Sequence, residues 1–326
     1  MTAVIRPRGG DTPRLGIALV GLGRAGRQHL AAATRLDTCR MHAAVDTDPA
    51  VAADSPIPVT ALEESLGDPA VHMVSICLPP GAAEAVALRA FEAGKHVLLE
   101  KPPAATGAQL DRLLQAADRA DRLAAVMFQH RFALPEQLRS DAPRRFEGAK
   151  ATLLVSRPRS AEHYGGTGWR SAPALAWGGV TAHLGVHYLD LAGQLLGEPA
   201  SVERLARAEV APGIDVEQSA FVRFRNGSQL TVIVTTNATA RIERLTVLGR
   251  RDWVEISDGR ISGQLDDDAV ERDARPAQWL RTEVYRELAD AALGIRPLEL
   301  AALRRSGGVV TMLSGLLDGF VSHGRG

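Results

Sequence analysis

The sequence is poor in the features that mark several classes of protein. It holds only two cysteines, Cys39 and Cys77, at no metal-ligand spacing and in no disulfide framework, which fits a reducing cytoplasm. Lys plus Arg equals Asp plus Glu at 38 each, and this lack of net positive charge argues against nucleic acid as a main partner. No apolar run approaches the roughly 20 residues needed to span a bilayer, so a membrane is not expected as a partner.

The apolar content is sufficient for about two domains, because 45% of the 326 residues are hydrophobic. From Leu15 to about Phe132 short apolar runs alternate with longer helical patterns, which predicts an α/β fold with a doubly wound parallel sheet. The strands are expected at residues 15–20, 41–45, 73–78, 96–99 and 123–128. Apolar residues three and four apart predict helices at 26–35, 82–93 and 107–120.

After residue 132 the pattern changes to period-two strands, expected at 149–155, 201–208, 217–224, 229–235 and 242–248. Asn226-Gly227 lies between two of them and is a strong turn signal, since both residues tolerate positive φ. Helices are expected at 182–196, 276–293 and 298–317, the last of which could return to pack on the first domain. This half therefore predicts an α+β domain whose largely antiparallel sheet has one open face.

A glycine motif follows the first predicted strand directly. Gly21-Leu22-Gly23-Arg24-Ala25-Gly26 is a GxGxxG at a strand-to-helix junction, where such glycines allow a tight turn, close approach of a pyrophosphate and close packing of the helix. Residues 15–131 are therefore interpreted as a Rossmann dinucleotide-binding domain. Residues 132–326 are expected to form the substrate-binding and oligomerisation domain. Residues 1–14 have no apolar segment of signal-peptide length and are expected to be a flexible tail.

Asp46 indicates which nucleotide is bound. It lies 20 residues after Gly26, at the end of the second predicted strand, where a carboxylate can accept hydrogen bonds from the adenosine ribose and repel a 2′-phosphate. NAD is therefore preferred to NADP. Arg24 and Arg27 lie nearby and could serve a phosphate, which keeps NADP as the less favoured alternative.

The strand after Gly94 ends in Glu100-Lys101-Pro102, and this motif resembles the Gfo/Idh/MocA family, the relatives of glucose-fructose oxidoreductase and inositol dehydrogenase. Four further motifs extend the resemblance over nearly the whole chain: Ser75-Ile76-Cys77-Leu78-Pro79, Trp169-Arg170, Gly178-Gly179 and Gly185-Val186-His187-Tyr188-Leu189-Asp190. The resemblance implies an NAD(P)-dependent dehydrogenase or reductase acting on a sugar, a cyclitol or a nucleotide-activated keto-sugar. It adds Leu78, Pro79 and Glu100 to the cofactor-binding candidates.

The resemblance also suggests which residues handle the proton. Lys101 is expected at the C-terminal edge of the parallel sheet, where the positive charge of an oxidised nicotinamide disfavours its ammonium form. Glu100 is expected to orient Lys101 or to form a structural ion pair with it. His187 is the second acid/base candidate, because an imidazole exchanges protons near neutral pH.

His183 lies one helical turn before His187, where many relatives carry Asp, and this is the main departure from the family pattern. It could join a His-His pair around the substrate, hydrogen-bond the substrate without proton transfer, or be a core residue without a chemical role. Two histidines at this spacing can ligate zinc, but without a third ligand or an intervening Glu no metal is expected.

The remaining candidates surround the same chemistry. Tyr164, Trp169 and Arg170 combine aromatic faces with a guanidinium, which suits a polyhydroxylated or anionic substrate. Gln129 and His130 end the last strand of the first domain and are expected to contact cofactor and substrate respectively, or to serve as a domain hinge. His29 is interpreted as a local packing group.

Two other functions stay open at this point. Imine reduction on the same fold is a close variant, and a non-catalytic NAD(P)-binding regulator is the second. Retention of both Lys101 and His187 argues against the regulator. A homodimer or homotetramer is expected, because the open face of the second sheet would suit pairing with another copy.

Overall fold

A computed structural model describes residues 14–160, 162–166 and 168–317 of the chain. The expected tail therefore lies outside the described residues, except for Arg14. The chain divides into two compact units. The first consists of the residues up to Pro103, Ala108–Phe132 and Pro276–Arg305, and the second of Ala104–Gly107, Ala133–Arg275 and the residues from Ser306 onward.

The first unit contains a parallel sheet of five strands, as the sequence predicts. They are β1 (Leu15–Val20), β2 (Cys39–Val45), β3 (Met73–Ile76), β4 (His96–Leu99) and β5 (Ala124–Val126), in the order β2-β1-β3-β4-β5. Every residue of β1 is buried, because helices cover both faces of such a sheet. The strand order reverses between β1 and β3, the position at which open α/β sheets bind ligands at their C-terminal edge.

Five helices connect these strands: α1 (Arg24–Ala33), α2 (Pro49–Ala53), α3 (Leu62–Gly67), α4 (Pro80–Glu92) and α5 (Gly107–Ala120). Predicted and observed bounds of α5 coincide, since Leu110, Leu113 and Ala117 form one buried stripe. The short helices α2 and α3 were missed, because five or six residues do not show a helical period. Asp48 caps α2 by accepting the Ala50 N–H at 2.9 Å.

The second unit contains a sheet of eight strands, of which the sequence predicts five. They are β6 (Lys150–Ser156), β7 (Pro199–Ala211), β8 (Ile214–Phe224), β9 (Gln229–Thr235), β10 (Ile242–Leu248), β11 (Trp253–Ser257), β12 (Arg260–Leu265) and β13 (Asp268–Arg272). The order is β13-β12-β11-β10-β6-β9-β8-β7, and only β6 and β9 pair in parallel. A largely antiparallel second sheet is thus confirmed.

Two turns of this sheet carry hairpin signals, and only one of them was predicted. At the predicted turn, Gly227 takes φ +81° and the Asn226 side chain accepts the Ser228 N–H at 3.1 Å, which joins β8 to β9. The missed strands β11 and β12 meet at Asp258-Gly259, both at positive φ (49° and 86°). This Asp-Gly pair is itself a hairpin signal that the sequence offered.

The helices after β5 are α6 (Ala142–Arg145), α7 (Glu162–Gly165), α8 (Pro173–Ala176), α9 (Val186–Leu196), α10 (Ala277–Ala292) and α11 (Gly307–Leu317). A π-helical segment, Thr181–Gly185, precedes α9 where a single helix was expected. The return to the first unit is made by α10 and by residues 298–305, the first part of the last expected helix, whereas α11 belongs to the second unit. The physical reason is that α10 packs on α1, while α11 packs on α9 and β7.

The second sheet exposes apolar side chains on strands of both its halves. Leu205 is 59% exposed on β7, Leu248 is 53% exposed on β10, and Trp253 is 39% exposed on β11. No helix among the described residues is long and apolar enough to cross a membrane.

Candidate active site

The glycine loop between β1 and α1 is shaped by its neighbours. Gly21 takes φ +92°, and a Cβ added to it would lie 2.8 Å from the Cys77 carbonyl oxygen. A Cβ on Gly26 would lie 1.9 Å from the Gly21 carbonyl oxygen, so no side chain fits there. A Cβ on Gly23 would meet nothing within 4 Å, which leaves the backbone open to a ligand. These three environments match the three roles of the GxGxxG glycines.

The first turn of α1 fits a dinucleotide. No side chain caps the helix at Gly23, so its first N–H groups are available to an anion, and Arg24 beside them is exposed. Asp46 accepts the Leu22 N–H at 2.7 Å on one oxygen and the Asp48 N–H at 2.9 Å on the other. Each carboxylate oxygen retains a lone pair for a ribose hydroxyl.

The residues after β3 border the same loop. The Leu78 side chain lies 3.3 Å from the position that a Cβ on Gly21 would take, and Pro79 precedes α4. Burial raises the pKa of the Cys77 thiol, which favours its protonated form. Leu78 and Pro79 therefore form an apolar border beside the glycine turn.

Lys101 follows β4 and is held through its backbone. Its N–H donates to Glu100 Oε2 at 3.0 Å, and the Lys101–Pro102 peptide bond is cis. Glu100 Oε1 lies 2.9 Å from His29 Nε2. Burial raises the pKa of Glu100, but the hydrogen bond and charge of His29 and the charge of Lys101 lower it to about 2. Glu100 is therefore an ionised carboxylate that fixes the backbone of Lys101.

His29 is more than the local packing group that the sequence suggests. It is fully buried, and its Nδ1 lies 3.0 Å from Ser75 Oγ and 2.9 Å from the Tyr285 hydroxyl. His29 follows Gly26 by three residues, so it lies on the face of α1 that packs on the sheet. Its position three residues after Gly26 is the one sequence signal that could have indicated these contacts of His29. Ser75 and Tyr285, which complete the network, are 210 residues apart.

α10 also brings Arg281 to the first unit. The Nε of Arg281 is buried and has no hydrogen-bond partner among the described residues. Burial lowers the pKa of its guanidinium, the charges of Glu100 and Cys77 raise it, and the charge of Arg24 lowers it. Arg281 is half-buried, and a buried N–H donor without an acceptor is costly, so this position favours an anionic ligand.

Gln129 and His130 lie in a 3₁₀ helix, Gln129–Ala133, directly after β5. Gln129 is 4% exposed, and its Oε1 has no hydrogen-bond partner among the described residues. A buried amide oxygen of this kind suits a ligand N–H donor. Arg131 is fully buried and donates to the Leu300 carbonyl oxygen at 2.9 Å, which ties this turn to the segment after α10.

In the second unit, three of the predicted substrate residues form an aromatic cluster. The rings of Tyr164 and His183 stack at 5.7 Å with a 22° interplanar angle, and Trp169 meets His183 edge-on at 5.2 Å. The guanidinium of Arg170 lies 4.4 Å from the centre of the Trp169 ring. Tyr164 is 2% exposed, and its hydroxyl has no hydrogen-bond partner among the described residues.

His183 is placed by contacts that the sequence did not reveal. Its Nε2 lies 3.0 Å from the Ala176 carbonyl oxygen, and this contact directs one ring nitrogen to the backbone. The π-helical segment that carries it is anchored by Asp215, which is fully buried and accepts the N–H groups of Gly179 (2.6 Å) and Thr181 (2.9 Å). A Cβ on Gly179 would lie 1.9 Å from the Asp215 carbonyl oxygen, so only glycine fits at this position.

His187 is half-buried in the first turn of α9. The next residue, Tyr188, is 2% exposed, and burial and the adjacent carboxylate of Glu243 raise the pKa of its hydroxyl. Glu243 in turn accepts from Arg157 at 2.7 Å. This pair holds the buried end of the first turn of α9.

The predicted site residues thus fall into two groups, each assembled within one unit. The first unit gathers the glycine loop, Asp46, Leu78, Pro79, Glu100 and Lys101, with Gln129 and His130 after β5. The second unit gathers Tyr164, Trp169, Arg170 and His183, with His187 one turn further. Within the described ranges no three His, Cys, Asp or Glu side chains are grouped so as to hold a metal ion. The sequence did not predict His29, Ser75, Arg281 and Tyr285 as members of the first group, nor Asp215 as a member of the second.

Comparison with known proteins identifies the family. Residues 15–128 match the oxidoreductase family with an NAD-binding Rossmann fold, and residues 145–255 match the GFO/IDH/MocA C-terminal domain. The chain belongs to the GFO/IDH/MocA oxidoreductase family. Its first unit is therefore an NAD-binding Rossmann domain, as the glycine motif and Asp46 predict.

Individual relatives are distant. D-glucoside 3-dehydrogenase of Escherichia coli is 36% identical over 131 residues, which cover 39% of this chain and 36% of that protein. Levoglucosan dehydrogenase of Pseudarthrobacter phenanthrenivorans is 27% identical over 210 residues, 56% of this chain and 53% of that protein. The chain thus spans about half or less of the length of these curated relatives.

The whole fold matches more completely. The WlbA dehydrogenase of Bordetella pertussis, in a crystal structure with NADH and UDP-GlcNAcA, has a TM-score of 0.80 at 22% identity. The match covers 95% of this chain and 96% of that chain. At this identity the likeness establishes the fold alone.

Proposed function

We propose that this protein is an NAD-dependent dehydrogenase or ketoreductase of a sugar, a cyclitol or a keto-sugar. The observation that carries the proposal is that Lys101 is fixed, through Glu100 and His29, to the helix that starts at the glycine loop. Lys101 is therefore connected by hydrogen bonds to the helix that begins at the nucleotide-binding edge of the parallel sheet. A bound NAD supplies the hydride acceptor or donor, and the chain supplies positioning and proton transfer.

The cofactor is assigned to residues of the first unit. The pyrophosphate lies at the N–H groups that begin α1, and Arg24 and the half-buried Arg281 add positive charge there. Asp46 binds the ribose hydroxyls and disfavours a 2′-phosphate, which supports NAD over NADP. Arg27, the other cation that could serve a 2′-phosphate, pairs with Asp54 at 2.9 Å. Leu78, Pro79, Glu100 and Gln129 complete the site.

The substrate is assigned to the cluster of Tyr164, Trp169, Arg170 and His183. Aromatic faces stack on the apolar face of a sugar ring, and the buried Tyr164 hydroxyl offers a hydrogen bond to one of its hydroxyl groups. The names of the glucoside and levoglucosan dehydrogenases favour the same substrate class. His130 is proposed as an additional contact at the end of β5.

Proton transfer is assigned to Lys101 and His187. In the oxidative direction one of them accepts the proton of the hydroxyl whose carbon loses the hydride, and in reduction it returns that proton. His183 is assigned to orienting the substrate, because its Nε2 is directed to the Ala176 carbonyl and its ring is packed between Tyr164 and Trp169.

The test follows nicotinamide absorbance with a panel of sugars, cyclitols, keto-sugars and imines, in both directions, with NAD(H) and NADP(H). Lys101→Ala is compared with Lys150→Ala, because the chain has only three lysines and Lys150 is exposed at the start of β6. We expect turnover that Lys101→Ala lowers by about 10²- to 10⁴-fold while Lys150→Ala leaves it unchanged.

The outcomes separate the alternatives. Equal turnover by both variants would remove Lys101 from the reaction. NADH binding without turnover of any compound in the panel would favour a regulatory protein, and turnover confined to the imines would change the reaction class.

Self-association through the open face of the second sheet is part of the same proposal. Leu248 and Trp253, which pair across β10 and β11, are exposed there, and exposed apolar patches commonly mark protein interfaces. Light scattering is expected to give the mass of a dimer or tetramer, and Leu248→Glu is expected to lower it. A monomeric mass for the unmodified chain would contradict this.

A further inference from the structure

A buried polar network underlies Lys101 and draws on four separate elements of the first unit. His29 comes from α1, Ser75 from β3, Glu100 from the end of β4 and Tyr285 from α10. Ser75 Oγ and the Tyr285 hydroxyl lie 2.7 Å apart, and both contact His29 Nδ1. Ser75, His29 and Tyr285 are fully buried. A network of this depth is costly unless every member is hydrogen bonded, as these are.

The chemistry of the network gives it a direction. An ionised carboxylate only accepts hydrogen bonds, so His29 Nε2 carries a proton and donates a hydrogen bond to Glu100 Oε1. The hydroxyls of Ser75 and Tyr285 occupy Nδ1 on the other side of the ring. The imidazole can neither rotate nor exchange its tautomer without breaking these contacts. The second oxygen of Glu100 then accepts the Lys101 N–H.

We propose that His29, backed by Ser75 and Tyr285, is a positioning residue that holds Glu100 ionised and oriented beside Lys101. The proposal rests on the proton-transfer role proposed for Lys101. It gives α10 a part in the active site, since Tyr285 comes from that helix. It also joins the nucleotide loop to the proton-transfer residue, because His29 and the glycine loop belong to one helix.

Five titratable groups face Glu100: His29 from α1, Lys101 next in the chain, Cys77 after β3, and Arg281 and Tyr285 from α10. Burial raises the pKa of Glu100, and His29 is the largest influence that lowers it. Removing the His29 imidazole leaves the burial in place and takes away its hydrogen bond and charge. The carboxyl then becomes protonated at a higher pH and no longer presents an ionised oxygen to Lys101.

The competing explanation is that the network only stabilises the fold. A purely structural role lowers the folded fraction and leaves the pH profile of the remaining active sites unchanged. A positioning role changes kcat and its pH profile in those sites that still bind cofactor. The two are therefore separable once active sites are counted by NADH binding.

The experiment compares His29→Leu, His29→Gln and Tyr285→Phe with His42→Gln in the full chain. His42 forms a pair with Asp68 at 3.0 Å on the same unit and makes no contact with Glu100, so it controls for loss of a histidine–carboxylate pair. Each variant is assayed for NADH affinity, for kcat and KM across the pH range in which it stays folded, and for thermal unfolding.

We expect His29→Leu to lower kcat about tenfold or more, a part of what a positioned acid/base group contributes, and to lower NADH affinity by less. Its kcat profile should gain an acid-side ionisation that the unmodified enzyme lacks. His29→Gln, which keeps an N–H donor, should recover part of the rate, and Tyr285→Phe should shift the profile in the same direction by less. His42→Gln should behave as the unmodified enzyme.

An unchanged pH profile in His29→Leu would overturn the proposal. If His29→Leu does not fold, an unchanged profile in both His29→Gln and Tyr285→Phe would do so. Failure of the underlying function is distinguishable, because Lys101→Ala would then retain full kcat.

Discussion

Asp215 is expected to determine the stability of the second unit, because its buried carboxylate holds the start of the π-helical segment that carries His183. Oδ1 accepts the Gly179 N–H at 2.6 Å, and Oδ2 accepts both the N–H and the hydroxyl of Thr181, at 2.9 and 2.6 Å. Asp215→Asn keeps the shape of the side chain and replaces one acceptor oxygen by an NH₂ group. In its best orientation the introduced amide keeps its oxygen on Thr181 and so retains both of those hydrogen bonds. Its NH₂ group then faces the Gly179 N–H, and two donors cannot bond to each other.

The cost follows from these contacts. One charge-assisted hydrogen bond is lost and the Gly179 N–H is left buried without an acceptor, which together are worth about 2–3 kcal/mol. The free energy of unfolding should fall by this amount in urea. Tryptophan fluorescence is a suitable probe, because Trp169, Trp177 and Trp253, three of the four tryptophans, belong to the second unit.

Activity should fall as well, and cofactor affinity should not. Displacement of the π-helical segment moves His183 relative to Tyr164, which lowers kcat/KM for the substrate, whereas the nucleotide residues belong to the other unit. Asp252→Asn is the matched control. Asp252 is a buried carboxylate of the second unit that pairs with Arg145 at 2.7 Å, so its loss should destabilise the unit without lowering kcat/KM. Equal activity of Asp215→Asn and the unmodified enzyme would refute this reasoning.

Three further predictions concern the first unit. Burial and the charge of Arg122 lower the pKa of His96 from 6.5 to about 4, so the unfolded chain binds the proton first and stability is lost as the pH falls from 6.5 to about 4. This loss reaches about 3 kcal/mol. The urea midpoint of His96→Gln should therefore change less with pH over this interval than the midpoint of the unmodified chain. An equal pH dependence of the two midpoints would contradict the prediction. Gly26→Ala should destabilise the apo chain, whereas Gly23→Ala should not. Both substitutions should weaken NADH binding about tenfold in fluorescence titrations. Asp46→Ser should raise kcat/KM with NADP relative to NAD by about tenfold, and an unchanged ratio would place the ribose elsewhere.

The parts of the fold that could be predicted are those with a strong local signal. All five strands of β1 to β5 were expected, because strands covered on both faces are continuous apolar runs. The strands β11 to β13 were missed, because charged and polar residues interrupt their alternation and the turn signal at Asp258-Gly259 was not used. The π-helical segment was also missed. Its start is anchored by Asp215, which comes from a strand 34 to 36 residues further along the chain.

The sequence by itself determined the nucleotide end. GxGxxG, Asp46 and Glu100-Lys101-Pro102 are short motifs whose members act within a few residues of a strand end, so their order along the chain is sufficient to place them. Only the tertiary structure decided what supports them. His29, Ser75 and Tyr285 meet across as many as 256 residues, and Asp215 reaches Gly179 across 36. Hydrogen bonds between such distant residues follow from helix and sheet packing, and packing leaves no periodic trace in the sequence.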